Sequence, residues 1–414
     1  MFAVLRNDVY AKLFGAQVIA LLGTGLLTIA LGLLAFDIAG GDAGLVMGTA
    51  MTIKMVAYVA VAPTIGAIVA RVPRKTLLIT SDAVRAAVAL CLPFVTEVWQ
   101  IYILIFLLQA ASATFTPAFQ ALIPSVLPDE RQYTRALSLS RLAYDLESLV
   151  SPMLAAALLT VVSYNNLFVG TVIGFVGSAL LIAITRFPVI APPATTGFLD
   201  RLTRGMRVFG VRPELRSLMA LNLVVATATA MVIVNTVVLV KADLARSQAD
   251  VAVMLAATGA GSMIVALCIP KLLDRFPDRR VMFCGALILP IALLVGAAVL
   301  QWGTGQAQWL GLIGAWFVIG AATSTILTPS SRLLQRNSDE QTRPAIFAAQ
   351  FSLSHACYLI TYPLAGVLGA VYGLPVTAVV LAGIGLIGAV LALGVWPAVP
   401  PPATTVAGNY RATP

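Results

Sequence analysis

The chain has 414 residues, of which 60% are hydrophobic and 10% charged. Soluble domains carry about 25% charged residues, so an ordinary water-soluble globule is excluded. The net charge of +9 raises nucleic acid as a partner, but the sequence holds no folded basic surface with base-reading residues, and no nucleic-acid partner is expected.

Met1 to Lys12 is polar, and the apolar run that follows is too long for the core of a cleavable signal. Apolar runs near 20 residues, the length that crosses about 30 Å of hydrocarbon, then recur along the chain. They predict membrane spans at 14–36, 45–70, 76–95, 101–122, 136–162, 166–186, 216–240, 249–273, 281–301, 308–328, 345–371 and 374–396. Between the sixth and seventh, PVIAPPATTG is too proline-rich for a helix interior. After it, Phe198, Leu202, Met206 and Phe209 recur at helical spacing away from Arg201, Arg204 and Arg207, the pattern of an amphipathic helix lying on the membrane interface. Cys91, Cys268, Cys284 and Cys357 all fall inside apolar runs at no metal-ligand spacing and read as buried small hydrophobes.

The basic residues fix an orientation. Arg71, Arg74 and Lys75, then Arg131 and Arg135, then Arg201, Arg204, Arg207, Arg212 and Arg216, then Lys271, Arg275, Arg279 and Arg280, then Arg332, Arg336 and Arg343 occupy loops on one side. The loops on the other side hold Lys241 and Arg246. Positive loops stay inside, so both termini are expected in the cytoplasm. Arginine in excess over lysine, with abundant Ala, Val and Gly, suggests a bacterium with a GC-rich genome and hence its inner membrane.

The sequence also repeats. TPAFQALIPSVLPDERQYTRALSLS at 116–140 aligns with TPSSRLLQRNSDEQTRPAIFAAQ at 328–350. Thr116-Pro117 matches Thr328-Pro329, Asp129-Glu130 matches Asp339-Glu340, and Ser151-Pro152 matches Tyr362-Pro363, at offsets of 210 to 212. The expectation is an all-α membrane protein of twelve transmembrane helices in two six-helix repeats. The halves cover 1–188 and 216–397, with a cytoplasmic linker at 189–215 and a disordered tail at 398–414.

The loop after span two, Gly66-Ala-Ile-Val-Ala70-Arg71-Val-Pro73-Arg74-Lys75, resembles the motif Gly-x-x-x-Asp-Arg-x-Gly-Arg-Lys of the major facilitator superfamily. Its counterpart after span eight keeps Asp274 and Arg275, followed by Arg279 and Arg280. The likeness covers nearly all of the chain. It implies the major facilitator fold, secondary active transport by alternating access, and a cytoplasmic gate built from Gly66, Arg71, Arg74, Lys75, Asp274, Arg275, Arg279 and Arg280. Ala70 and Pro73 replace the motif's aspartate and second glycine. The segments TPAFQALIPSVLPDE and SRLAYDLESLVSP are similar to a twelve-helix exporter branch with macrolide-efflux-like and nickel-resistance-like members. Three departures stand out. The tail has no histidine, Phe106 stands near the span-four arginine of drug antiporters, and the span-five antiporter motif is reduced to Ser151-Pro152-Met-Leu-Ala155-Ala156.

The stretch SRLAYDLESLVSP at 140–152 places Arg141, Asp145 and Glu147 at the start of an apolar segment. With span five starting near Ala136, Asp145 lies about 13 Å along it at the helical rise, and Glu147 lies deeper. An ionised carboxylate facing lipid costs several kcal/mol, so both are expected to face the bundle interior or a water-filled cavity. Arg141, Asp145 and Ser148 share one helix face, with Tyr144 beside it. The Arg141 and Asp145 pair either locks the helix to its neighbours or takes part in proton coupling. Glu147 needs a partner from elsewhere, and Lys54, deep in span two, is the one named. A carboxylate in such a place is suited to load and release a proton.

His355 falls about 16 Å inside span eleven, opposite Tyr144 in the repeat. It either titrates or binds a soft cation, or packs through hydrogen bonds, and it has no further ligand at metal spacing. Asp82 and Arg85, three apart in span three, read as a structural pair joining the gate. By the resemblance, spans one and seven line the cavity, which makes Gln17, Thr24, Thr28, Asn222 and Asn235 candidate substrate contacts. Helix-to-helix hydrogen bonding is the alternative for each.

No Gly-x-x-x-x-Gly-Lys-Ser/Thr loop is present for an ATP-driven pump, and no nucleophile stands with a base, so neither enzyme activity nor a cofactor is expected. The function expected is proton-coupled efflux of a drug-like compound or a divalent metal such as nickel or cobalt. The alternative is a proton symporter importing a small metabolite. The partners expected are that substrate, protons and membrane lipid, with the chain working as a monomer.

Overall fold

The structure, a computed structural model, describes residues 2–58, 72–127, 129–187, 206–338 and 343–396. Among these residues stand twelve long helices. The first six are α1 Asp8–Ala39, α2 Ala43–Val56, α3 Arg74–Cys91, α4 Val98–Val126, α5 Glu130–Leu158 and α6 Asn165–Ile184. The second six are α7 Pro213–Val238, α8 Gln248–Leu273, α9 Asp278–Trp302, α10 Gly305–Arg336, α11 Arg343–Tyr372 and α12 Leu374–Val395. With twelve spans joined in series, the two ends of the chain lie on one face of the bundle, the terminal face, and the opposite face is distal.

Local chemistry sets the helix ends. Asn7 caps α1 by accepting from the Tyr10 backbone N–H at 3.0 Å. Glu97 and Gln100 form a reciprocal capping box on α4, and Asp129 caps α5 through the Gln132 N–H at 2.9 Å. Each satisfies amide groups that a helix start leaves open. Proline at the first turn, where no amide bond is lost, opens α7. Gly40, at φ 56, stops α1 in a left-handed conformation.

Ten stretches are long and apolar enough to cross a membrane. One of these, Asp8–Val56, contains both α1 and α2. Helix α5 is absent from the ten because its first half is charged, yet it is as long as its neighbours. Every predicted span has a helix among the described residues, although 59–70 of the second span lie outside them, and three helices overrun the predicted ends on the terminal face. Helix α1 starts at Asp8 and not 14, α5 at Glu130 and not 136, and α10 runs to Arg336 and not 328. Hydropathy stops where charges begin, whereas backbone hydrogen bonding continues into the interfacial turns.

The packing repeats with the sequence. In the first half α1 packs on α6 and α5, α3 on α4 and α6, and α2 on α4. In the second half α7 packs on α12 and α11, α9 on α10 and α12, and α8 on α10. The halves join along two seams, α2 with α11 and α5 with α8, which the same twofold relation interchanges. The α2 and α11 seam is closest near the distal face. A Cβ on Gly48 would lie 2.7 Å from the Tyr362 carbonyl and 3.1 Å from the Gly366 Cα. Beside it, Asn235 of α7 donates to the Ala365 carbonyl at 3.1 Å, and its Oδ1 lies 2.8 Å from where a Gly44 Cβ would stand. Lys241 lies over Phe36 at 5.9 Å. Small residues allow this approach, as helices that share lipid as solvent require. Tyr164, in the turn before α6, hydrogen-bonds Asp37, and burial together with that carboxylate holds its phenol above the ordinary tyrosine value.

Two expectations change. All four cysteines are free, as read, but Cys91, Cys268 and Cys284 are exposed on the outside of the bundle. Lipid is as apolar as a protein core, so an apolar run does not by itself say which residues face inward. In the linker, 206–211 is helical and Phe209 is buried in the main apolar core, with Met206 on the exposed side. Phe198, Leu202, Arg201, Arg204 and the tail at 398–414 lie outside the described residues.

The seam yields a test. Gly48→Val inserts an isopropyl group against backbone and is expected to cost about 1–3 kcal/mol by overpacking. Gly41→Ala, where nothing lies within 4 Å of the new Cβ, is expected to be neutral. Thermal unfolding of both variants in detergent, followed by size-exclusion chromatography, distinguishes the two.

A candidate transport site on the seam between the halves

Lys54 sits on α2 and Glu147 on α5, each about 17 Å from the distal end of its helix at 1.5 Å per residue. The two charges act on each other across the gap between α2 and α5. No direct ion pair joins them among the described contacts. The Glu147 carboxylate points toward α1, where a Cβ on Gly25 would lie 3.3 Å from its Oε1 and would overlap Ser151. The absence of a side chain at Gly25 is therefore what leaves room for Ser151, with the acid beside it.

Facing these charges from the second half is an aromatic ladder on α11. Phe351, His355, Tyr358 and Tyr362 recur every three or four residues and so share one face. Their ring centroids are 4.0 Å apart for Phe351 and His355, 6.1 Å for His355 and Tyr358, and 5.0 Å for the stacked pair Tyr358 and Tyr362. Tyr58, just past the end of α2, closes on the ladder, 5.5 Å from His355 and 5.9 Å from Phe351. The His355 Nδ1 is 2.7 Å from the Phe351 carbonyl and 3.4 Å from Ser354 Oγ. Lys54 also lies within Coulombic reach of His355, and Glu147 and Tyr144 within reach of Tyr58. Among the described residues no three of His, Cys, Asp and Glu gather as metal ligands would.

Of the residues singled out from sequence, Lys54, Glu147, Tyr144 and His355 converge here. The backbone of Arg141 and Asp145 belongs to α5, but their side chains, like Gly66 and Arg71, lie outside the described residues. Tyr58, Phe351, Tyr358 and Tyr362 were missed. The spacing of the last three was a readable stripe, hidden because aromatic residues are ordinary in apolar spans.

The five polar candidates of spans one and seven make hydrogen bonds within and between helices. Gln17 accepts from Ser140 at 3.0 Å. Thr24 and Thr28 donate to carbonyls four residues back in α1. Asn222 and Gln350 exchange two amide bonds at 3.2 and 3.1 Å. Asn235 belongs to the distal seam.

Asp82 and Arg85 are joined by a buried ion pair inside the first half. The Arg85 guanidinium lies between Phe115 at 4.2 Å and Phe175 at 4.5 Å. Their place is the core of α3, α4 and α6, with Tyr58 and Tyr144 within Coulombic reach of Arg85. At the terminal face, Lys75 donates to the carbonyls of Ala183 at 2.5 Å, in the last turn of α6, and Thr185 at 2.9 Å, just past it. In the second half, Arg279 donates to the Trp396 carbonyl at 3.3 Å, past the end of α12. Arg74 is half-buried at the start of α3, while Asp274, Arg275 and Arg280 are exposed. The acid that gathers arginines is Asp278, 2.5 Å from Arg336 and 3.8 Å from Arg332. Glu214 joins it through Arg336 at 3.8 Å and Asn337 at 2.6 Å.

The family model described as Major Facilitator Superfamily matches the chain twice, over residues 13–220 and 218–411. A macrolide efflux protein A from Enterococcus faecalis is 30% identical over 175 residues, which are 39% of this chain and 54% of that protein. The chain thus spans about half the length of that relative. An uncharacterised MFS-type transporter of Bacillus subtilis, YvqJ, is 23% identical over 75% of this chain and 74% of its own length. Among solved structures, a nucleoside transporter NupG mutant superposes with a TM-score of 0.74 at 14% identity, over 94% of this chain and 100% of that one. A bacterial homologue of the human lysosomal transporter Spinster, inward-facing and unoccupied, gives 0.73 at 13% identity, over 95% and 99%.

The buried pair is testable on its own. Removing one partner strands a charge, so Asp82→Ala is expected to lose about 3–5 kcal/mol of stability. Replacing both with Asp82→Leu and Arg85→Met is expected to restore most of it. Melting temperatures of the single and double variants in the same detergent read the difference, and a double variant no better than the single one contradicts this account.

Proposed function

The chain belongs to the major facilitator superfamily, and from that premise we propose that it is a proton-coupled secondary exporter of an amphipathic, drug-like organic compound. The observation that carries the reading is Glu147, a carboxylate midway through the bundle, on a helix that forms one of the two seams and across from an aromatic ladder on the other half. An ion at that depth is costly unless it is used or paired, and aromatic faces are surfaces for organic bodies. The ring environment of His355, with its Nδ1 on a backbone carbonyl, favours an organic substrate over nickel or cobalt.

The cycle follows from the two seams. The halves pack closely near the distal face, and in this reading the site would open toward the terminal face. Rocking one half on the other would release the distal contacts and turn the site outward. Glu147 would carry the proton inward and give it up as substrate enters. Positive charge is concentrated on the terminal face, with Lys75, Arg135, Arg216, Arg279 and Arg332 there and Lys241 and Arg246 distal. That asymmetry supports a bacterial inner membrane with both termini in the cytoplasm, lipid headgroups against the basic face, and a chain that transports as a monomer.

In energised inside-out vesicles, addition of a macrolide or a cationic dye is expected to release the pH gradient with the wild-type chain. Glu147→Gln is expected to abolish that release, a loss of at least tenfold on the usual scale for an essential proton carrier, while leaving membrane insertion intact. A response to nickel or cobalt alone, proton-coupled uptake of a metabolite, or a fully active Glu147→Gln variant would each overturn the reading.

A further inference from the structure

The distal contact between the halves is made largely by glycine backbone. The first half presents Gly32 of α1 with Gly44 and Gly48 of α2, and each meets a group of the second half. A Cβ on Gly32 would lie 2.7 Å from Cγ2 of Val237, and one on Gly366 would lie 2.7 Å from the Gly44 carbonyl. Val237 is 4% exposed. Within this close contact stands the amide of Asn235, which is wholly buried.

The two ends of that amide differ. Nδ2 donates to the Ala365 carbonyl at 3.1 Å and lies 3.7 Å from Met231 Sδ. Both partners belong to the second half, so these contacts travel with that half when it rocks. Oδ1 has no donor among the described contacts. It faces Gly369 in its own half and Gly44 in the other, 2.8 Å from where each Cβ would stand. Glycine C–H groups offset only a small part of what water gives an oxygen. A buried acceptor without a donor keeps most of its desolvation cost, and here one side of the cover is the first half itself.

We infer that Asn235 governs how readily the distal seam reopens: its carbonyl oxygen is cut off from water only while Gly44 lies against it, so it weakens that closure. The glycine contacts favour closure, and Asn235 opposes them without adding a bond that must break, since Nδ2 keeps its partner in both states. The role is the reverse of a latch. It also differs from the substrate contact expected from sequence, because no surface of the side chain is open to a ligand. The inference rests on the rocking of the halves in the proposed function, but on neither protons nor a substrate. A seam that parts as described in a chain without proton coupling would sink the exporter reading alone.

The test uses the purified full chain in detergent, with no substrate and no gradient. Cys91→Ala, Cys268→Ala, Cys284→Ala and Cys357→Ala remove the native thiols, and Val237→Cys places a reporter under Gly32. A charged methanethiosulfonate reaches that thiol only when the seam parts, so its labelling rate reads the open fraction. Asn235→Ala removes the unpaired oxygen without adding bulk, and the Ala365 carbonyl stays inside α11, where the helix ladder serves it. This variant is expected to label about tenfold more slowly, the order that one buried unpaired acceptor gives. A latch predicts faster labelling. Asn235→Asp is expected to label faster as pH rises from about 6 to about 8, relative to the Asn235 parent at each pH, because an ionised acid holds water and resists closure. The side chain touches Met231, Gly44, Ala365 and Gly369, none of which titrates, so that change belongs to position 235. If Asn235→Ala does not fold, the Asn235→Asp comparison decides. Unchanged or faster labelling in a folded Asn235→Ala variant overturns the inference, as does a relative rate of Asn235→Asp that is independent of pH.

Discussion

Hydrocarbon offers no partner to an ion, and that constraint decides which helices of this chain can face lipid. Helix α5 begins with a run of charges that no lipid-facing helix tolerates, and α2 carries Lys54 eleven residues from its distal end. These two helices are the ones that the second half covers, α5 by α8 and α2 by α11. The remaining helices of the first half keep their deep charge inside one half, as the Asp82 and Arg85 pair of α3 does. Burial of Lys54 and assembly of the halves are therefore linked, because the α2 face that carries it is covered by α11 of the second half.

The two halves solve the constraint differently despite their common pattern. The first half places an ion pair in its core, with the guanidinium between two phenylalanine rings. The second half places its strongest charge cluster, Asp278 with Arg332, Arg336 and Glu214, at the terminal face. A buried pair costs desolvation and gives geometry in return. A cluster at the mouth costs less, because water still reaches the arginines. Rigidity in the first half and an adjustable mouth in the second follow from that difference. So does the contrast in the middle of the bundle, where one half offers a carboxylate and the other a ladder of rings.

Most of the architecture was legible in the sequence because length, hydropathy and the half-chain repeat are properties of single segments. Twelve spans and two halves follow from them, even for α5, which its charges remove from any purely apolar count. Lys54 and Glu147 were readable as an acid and a base at similar depth, and among the described contacts no direct ion pair joins them. Orientation about the helix axis was not. Three cysteines read as buried face outward, and the ladder of Phe351, Tyr358 and Tyr362 was invisible. In lipid, inward and outward positions are equally apolar, so the periodicity that reveals the core of a soluble helix is lost. Polar residues of α1 and α7 misled for a related reason. A membrane helix hydrogen-bonds whatever polar group it has, so Gln17 and Asn222 look alike in sequence whether they bind substrate or a neighbouring helix.

The repeat also limits how the halves can move. Under the offset of 211, Gly48 and Gly366, which touch at the distal end of one seam, correspond to Gly259 and Ala155 on the other. Gly259 and Ala155 are buried as well, so all four seam helices carry a small residue at that depth. Close packing there costs no side-chain rearrangement on either seam. Toward the terminal face the same helices carry Tyr58, Tyr144 and Phe351, whose rings must turn before the backbones can approach as closely. Packed interfaces switch between discrete arrangements and do not deform continuously. A bundle with small residues at one end of its seams and large rings at the other therefore has two unequal closed states. The distal closure needs only rigid-body contact, whereas closure at the terminal face must reorganise the rings, and a flat aromatic body seated on the ladder would supply contacts that offset that reorganisation.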